Sequence, residues 1–360
     1  MAGDREAASP HGNTPLVGPG EVVLEPGEPI WKELVGMVAD GRRILLVLHI
    51  RPDGDSVGCS LAVARCLRGI GSQAVVVAPD PIPANLRFLD PDQECVPPDR
   101  LSGSFDLALF FDCADLERIG DARPLLRGIP RIINIDHHPS NRRYGDVNYV
   151  APRAGACGEL ALALIDALGC ALDARSATAL YAALATDTGS FRYENTTAVT
   201  LSMAARLRQA GADVALIGRE VWESRSLGSL RLIRRAIETL GVDAGGELAW
   251  MALTAKDLAE AACGPADTEG LVDYPRSLRG VEVAALFVAD SPGEVRVSLR
   301  SQGRVDVSAL AGAFAGGGHA RAAGCTVAGE LADVRARVLA AARLALGSTA
   351  HSTVEVARTR

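Results

Sequence analysis

Apolar residues along the chain first gather into short uninterrupted runs: Arg43 to Leu48, Ala74 to Ala78, Leu107 to Phe111 and Arg131 to Ile135. Runs of this length without alternation suit strands covered on both faces. Between them the apolar spacing changes to every third or fourth position. This occurs at Ile30, Trp31, Leu34, Val35 and Val38, and again over roughly 57–67, 158–168 and 175–185. Strands alternating with helices predict a mostly parallel α/β sheet. Helical spacing then dominates from Leu201 to Leu240. A second set of strand-like runs follows at Leu248–Leu253, Val281–Val288 and Glu294–Leu299, with a Gly-rich loop at Gly316–Gly318 and a final helix near Leu331–Leu346. The pattern divides the chain into a flexible tail (1–28), a first α/β domain (29–200), a helical connector (201–245), a smaller α/β domain (246–347) and a second flexible tail (348–360).

Composition narrows the function classes. A chain of 360 residues that is 48% hydrophobic can bury two ordinary cores. No apolar run approaches the roughly 20 residues that span a bilayer, and the start of the chain lacks the apolar centre of a signal peptide. The expectation is a cytoplasmic protein with no membrane partner. Acidic residues exceed basic ones, 44 to 37, for a formal charge of −7, which disfavours an electrostatic grip on long duplex nucleic acid. A short phosphorylated substrate stays compatible with that balance. The eight cysteines are scattered, contain no C-x-x-C pair, and read as small, reduced, mostly buried residues.

The chemistry-bearing residues sit at strand ends. Asp53 and Asp55 follow the first run, Asp112 the third, and Asp136-His137-His138 the fourth. An open parallel sheet binds ligands outside the carboxyl ends of its strands, so these groups converge on one edge. Within His49-Ile50-Arg51-Pro52-Asp53-Gly54-Asp55, a tight loop turning at Gly54 can bring both carboxylates to one side, with His49 closing the strand. Imidazole mixed with carboxylate suits Mn²⁺ or a related divalent ion, whereas a structural zinc site normally uses cysteine. Four aspartates also match the charge of two dications. Each piece has a plainer reading: Asp-Gly-Asp as a turn, Asp112 and Asp187 as caps, His137-His138 as a buried pair. Their combination at successive strand ends favours a metal site.

These residues resemble the motifs of the DHH phosphoesterases, a family named for the triplet that stands here as Asp136-His137-His138. His49-x-x-x-Asp53-x-Asp55-x-x-Gly58 is similar to the first motif, Asp112 to the second and Asp187 to the fourth. In the second half, Val297-Ser298-Leu299-Arg300-Ser301, then Gly316-Gly317-Gly318-His319 and Ala322-Ala323-Gly324, resemble the DHHA1 domain of one branch. The likeness covers about residues 30–346 and fits the two-domain NrnA-type oligoribonucleases and their cyclic-dinucleotide-degrading relatives. It implies a parallel-sheet DHH domain, a smaller α/β DHHA1 domain, and an active site in the cleft between them. It also implies two Mn²⁺ ions, one on His49, Asp53 and Asp112 and the other on Asp55, Asp112, His137 and Asp187. Asp112 then bridges, His138 faces the scissile phosphate, and Arg300, Gly316, Gly317, Gly318 and His319 bind substrate. Two departures touch substrate preference: Ala315 replaces a frequent fourth glycine, and Ala154-Gly155-Ala156-Cys157-Gly158-Glu159 lacks the hydroxyl residues common there.

The implied activity is hydrolysis of short oligoribonucleotides to mononucleotides, with 3′-phosphoadenosine 5′-phosphate (PAP) as a second substrate and a homodimer compatible with it. Cleavage of cyclic di-AMP or its linear product pApA is the rival. A family II-like pyrophosphatase and a catalytically silent nucleotide-binding protein are the remaining alternatives. The motif around His319 argues against the former, and the cost of clustered carboxylates without metal argues against the latter.

Overall fold

The computed structural model describes residues 29–38, 41–243 and 245–357, so the proposed N-terminal tail lies outside the described residues. The chain forms two compact units, Met1–His137 with Asn141–Val221, and His138–Ser140 with Trp222–Arg360.

The first unit opens with α1 (Pro29–Val38), which buries Trp31, Leu34 and Val38. It continues through β1 (Arg43–Val47), α2 (Gly54–Gly69), β2 (Gln73–Val77), β3 (Cys95–Val96), β4 (Leu107–Phe111), β5 (Ile132–Asp136) and β6 (Val147–Val150). The six strands form one sheet in the order β3-β2-β1-β4-β5-β6, parallel throughout. As the unalternating runs require, β4 is buried at every position and β1 from Ile44 onward. One face packs Leu45, Val47, Ala108 and Phe110 against Phe105, Ile119 and Ala122. Three helices complete the unit's helical layer: α3 (Cys157–Ala167), α4 (Ala174–Asp187) and α5 (Ala198–Gln209), followed by the short α6 (Val214–Ile217).

Glycine shapes the contact between α2 and α4. A Cβ on Gly54 would lie 2.4 Å from Thr186 Oγ1, and one on Gly58 would lie 2.3 Å from the Ala179 carbonyl. These glycines stand one turn apart on the face that α2 turns to α4, so the two helices cross antiparallel, with backbone against backbone at Gly58 and the Thr186 side chain filling the gap at Gly54. Gly58→Ala should therefore cost about 1–3 kcal/mol by overpacking. Equilibrium urea unfolding checks this, and an unchanged midpoint would remove the argument.

One cysteine expectation needs correction. Cys66 near the end of α2 and Cys170 just beyond α3 form a disulfide across 104 residues of sequence. The fold brings them together, and no local spacing announces it. The other six cysteines are free, with Cys59, Cys113, Cys157 and Cys325 buried. Reducing the bond, or replacing both partners by serine, should lower unfolding stability by about 2–4 kcal/mol, since closing a long loop restricts the unfolded chain. Denaturation with and without a dithiol reductant tests it, and coincident curves would contradict it.

The second unit contains α7 (Leu227–Glu238), β7 (Gly241–Val242), β8 (Leu248–Thr254), α8 (Ala255–Ala261), α9 (Asp273–Arg276), β9 (Val283–Ser291), β10 (Glu294–Ser301), α10 (Val307–Gly312), β11 (Gly317–His319), β12 (Ala322–Ala328) and α11 (Leu331–Ala357). Its sheet runs β11-β12-β10-β9-β8-β7 and is mixed: only the β8/β9 pair is parallel. Strand β9 faces two cores. Val283, Ala285 and Phe287 pack with Val334, Val338 and Leu339 of α11, while Ala284, Leu286 and Val288 pack with Leu232 and Ala236 of α7. Two expectations change here. Gly317 and Gly318 of the expected Gly-rich loop lie in strand β11, directly after Gly316, and α11 continues to Ala357 where a tail was expected after Gly347. A single glycine weakens a helix by only about 1 kcal/mol and does not end it without a left-handed turn behind it. Among the described residues no helix is long and apolar enough to cross a membrane.

Candidate metal centre

The carboxyl ends of β1, β4 and β5 carry the ionisable residues that the pattern singled out. His49 lies two residues beyond β1 and is buried. Asp112 directly follows β4 with φ +56°, a left-handed conformation that aspartate tolerates better than most residues. Asp136 is the last residue of β5, and His137 is next. Asp53 and Asp55 do not share a tight loop. Asp53 is the N-cap of α2, its Oδ1 accepting from the Ser56 amide at 3.0 Å, and Asp55 sits in the first turn. Gly54 accordingly serves the close approach to Thr186 and not a turn. The same approach brings Asp187, the last residue of α4, to this edge.

Two clusters result, and Asp112 belongs to both. His49 Nε2 lies 3.6 Å from Asp53 Oδ1 and 3.4 Å from Asp112 Oδ2. His137 Nε2 lies 3.4 Å from the other oxygen of Asp112, 3.3 Å from Asp187 Oδ2 and 3.8 Å from Asp55 Oδ2. Such separations exceed hydrogen bonds but match neighbouring donors around one ion at about 2.0–2.2 Å from each. Both rings are turned for the purpose. The Nδ1–H of His49 donates to the Ile50 carbonyl at 2.8 Å and that of His137 to the Ala154 carbonyl at 3.1 Å, which leaves each Nε2 lone pair toward the carboxylates.

Three observations fit a divalent cation. His49 Nε2 is buried without a hydrogen-bond partner. Burial disfavours a charged imidazole, yet the neighbouring carboxylates of Asp53 and Asp112 override it and raise His49 to about 9. Against the same burial penalty, Asp187, Asp112 and Asp55 raise His137 well above the usual range. Asp55 is pushed well above its ordinary value by burial first and then by the charges of Asp112 and Asp187. The cluster gathers protons because it is short of positive charge. Its imidazole and carboxylate donors suit a hard or borderline ion, and the residue groups His49/Asp53/Asp112 and Asp55/Asp112/His137 each bring their donor atoms within 4.8 Å of one another.

Several further residues support the cluster. Asp136 accepts from the His137 amide at 2.8 Å and from Asn141 Nδ2 at 2.5 Å, and Asn141 also donates to Asn134 Oδ1. Asp136 thus orients the histidine that follows it. Asn195 donates to the carbonyls of Gly155 and Asp187, which fixes the end of α4. Buried Glu159 accepts from the Gly155 amide and from Thr200 Oγ1. The sequence segment Ala154–Glu159 already included this glutamate, but nothing there pointed to its partner Thr200, 41 residues on.

His138 is half-buried and groups with the second unit. In that unit Ala322 of β12 pairs with Arg300 of β10 on one side and His319 of β11 on the other. Directly paired residues share a sheet face, so Arg300 and His319 project from the same side, two strand spacings or about 10 Å apart. Arg300 gives one hydrogen bond to the Leu299 carbonyl. Two of the three glycines serve strand packing: a Cβ on Gly316 would lie 2.2 Å from the Gly324 carbonyl, and one on Gly318 would lie 2.5 Å from the Ala322 carbonyl. Gly317 alone faces open space. Ala315 adopts φ +59°, which explains why glycine suits that position.

Comparison with known proteins gives matches along both units. Residues 43–186 match the DHH family N-terminal domain and 251–347 the DHHA1 domain. The chain is similar to the bifunctional oligoribonuclease and PAP phosphatase NrnA of Thermus thermophilus, at 33% identity over 88% of this chain and 95% of the relative. The protein of the same description in Bacillus subtilis is 27% identical over 82% of this chain and 92% of its own. An exopolyphosphatase-related protein from Bacteroides fragilis has a similar crystal structure, with a TM-score of 0.80 and 25% identity, covering 88% of this chain and 95% of that one.

Proposed function

The chain belongs to the DHH/DHHA1 phosphoesterase family, and from that premise we propose that it is a Mn²⁺-dependent hydrolase of short oligoribonucleotides that also dephosphorylates 3′-phosphoadenosine 5′-phosphate. His49, Asp53 and Asp112 hold one ion, and Asp55, Asp112, His137 and Asp187 the other. The observation that carries this reading is the division of Asp112, one oxygen toward each histidine. When bound, paired divalent cations polarise phosphate oxygens and make hydroxide available at neutral pH.

The chain's own residues do the positioning. Buried Nδ1–H bonds hold both imidazoles in the orientation that presents Nε2. His138 faces the scissile phosphate. Arg300 engages a substrate phosphate through its planar fork, and His319, on the same sheet face, contributes a second polar contact. The relatives' described activities and the acidic balance of this chain support a small nucleotide over a long duplex.

Turnover of a diribonucleotide, 3′-phosphoadenosine 5′-phosphate, cyclic di-AMP and pyrophosphate, each with Mn²⁺, tests the proposal. The first two should be hydrolysed faster than the others. A preference for cyclic di-AMP would reassign the substrate, and release of phosphate from pyrophosphate alone would reject the nucleotide reading.

A further inference from the structure

Asp55 is buried to 1% exposure, and most of its acceptor capacity is already used within the first unit. Its Oδ1 accepts from the Cys59 thiol at 3.3 Å and from the Gly158 amide at 2.9 Å, and its Oδ2 accepts from the Cys157 amide at 2.6 Å. The two amides are the first of α3, so the carboxylate rests on that helix's electropositive end. Cys59 stands four residues after Asp55, one turn along α2 on the same face.

A carboxylate offers about four lone-pair directions on two oxygens. Three are taken by these donors, and the remaining one belongs to Oδ2, the oxygen nearest His137 at 3.8 Å. We infer that Cys59 is a positioning residue that closes Asp55 Oδ1 and restricts Asp55 to a one-oxygen contact with a bound cation, which biases the site against calcium. Calcium takes six to eight oxygens and commonly accepts both oxygens of a carboxylate, whereas smaller ions use fewer and better-ordered donors. Of the three donors, Cys59 is the only side chain, so it is the one that substitution can remove. This inference rests on the proposed metal reading and deepens it.

The test is calorimetric titration of the metal-free, full-length protein with MnCl₂ and with CaCl₂, together with the Mn²⁺ electron paramagnetic resonance spectrum. Neither readout depends on turnover. Cys59→Ala removes the donor, and its Mn²⁺ affinity should fall about 10–100-fold, as for other partners that orient a ligand, with a smaller preference for Mn²⁺ over Ca²⁺. Cys59→Ser keeps a donor in nearly the same space and should retain both affinity and preference. Cys59→Val serves as a second donor-free variant of fuller volume, so a packing loss in the alanine variant is told apart by melting temperature. Donor-free variants that bind both ions like the unaltered protein would overturn the inference. Failure of the unaltered protein to bind Mn²⁺ would instead reject the metal reading itself.

Discussion

Asp112→Ala should lower turnover by roughly 10³-fold or more, because removing one electrostatic donor from an active site already costs about 10²–10³-fold. Asp112 contributes an oxygen to each cluster, so its loss weakens both sites together and the metal content should fall below two per chain. The variant should also lose stabilisation by MnCl₂. Thermal melts with and without the ion, beside turnover and metal content, check these statements. Retention of both metal stabilisation and hydrolysis would end the two-ion assignment.

Arg300→Ala should lower kcat/KM by about 10–100-fold while leaving Mn²⁺ affinity unchanged. The loss corresponds to the worth of about one charge-assisted hydrogen bond, about 1.5–3 kcal/mol. Among the described residues the guanidinium spends one hydrogen bond internally, on the Leu299 carbonyl. Arg300→Lys should recover only part of the rate, because an ammonium group cannot reproduce the planar two-point contact. Steady-state kinetics on a dinucleotide and a parallel metal titration separate the two effects. Equal losses of kcat/KM and metal affinity would show that Arg300 acts on the fold and not on substrate.

The central strands were legible because burial on both faces writes an unbroken apolar run, as in Leu107 to Phe111. Other strands left weaker traces. All four residues of β6 are half-buried, β3 has two residues, and β12 is Ala-Ala-Gly-Cys-Thr-Val-Ala, whose pairing comes from β10 and not from its own propensity. The proposed ligand residues stood out because aspartate and histidine at strand ends form an uncommon combination. What holds them did not. Asn195 reaches Gly155 across 40 residues and the Cys157 and Gly158 amides reach Asp55 across more than 100, Cys59 acts from one turn along α2 where a buried cysteine reads as packing, and Gly54 looked like a turn residue because glycine signals both turning and close approach. The Cys66–Cys170 bond was hidden for the same reason.

The near-contact of α2 and α4 at Gly54 and Gly58 has a consequence for the apo protein. Gly58 meets the α4 backbone itself and Gly54 meets only the short, β-branched side chain of Thr186, so the first turn of α2 and the last turn of α4 cannot slide past each other by small adjustments. Asp55 and Asp187 therefore keep their mutual spacing whether or not a cation is present, and little ordering entropy remains to be lost on loading. Amide hydrogen exchange over these turns should be slow before metal is added and change little afterwards, so the site resembles a socket more than a clasp.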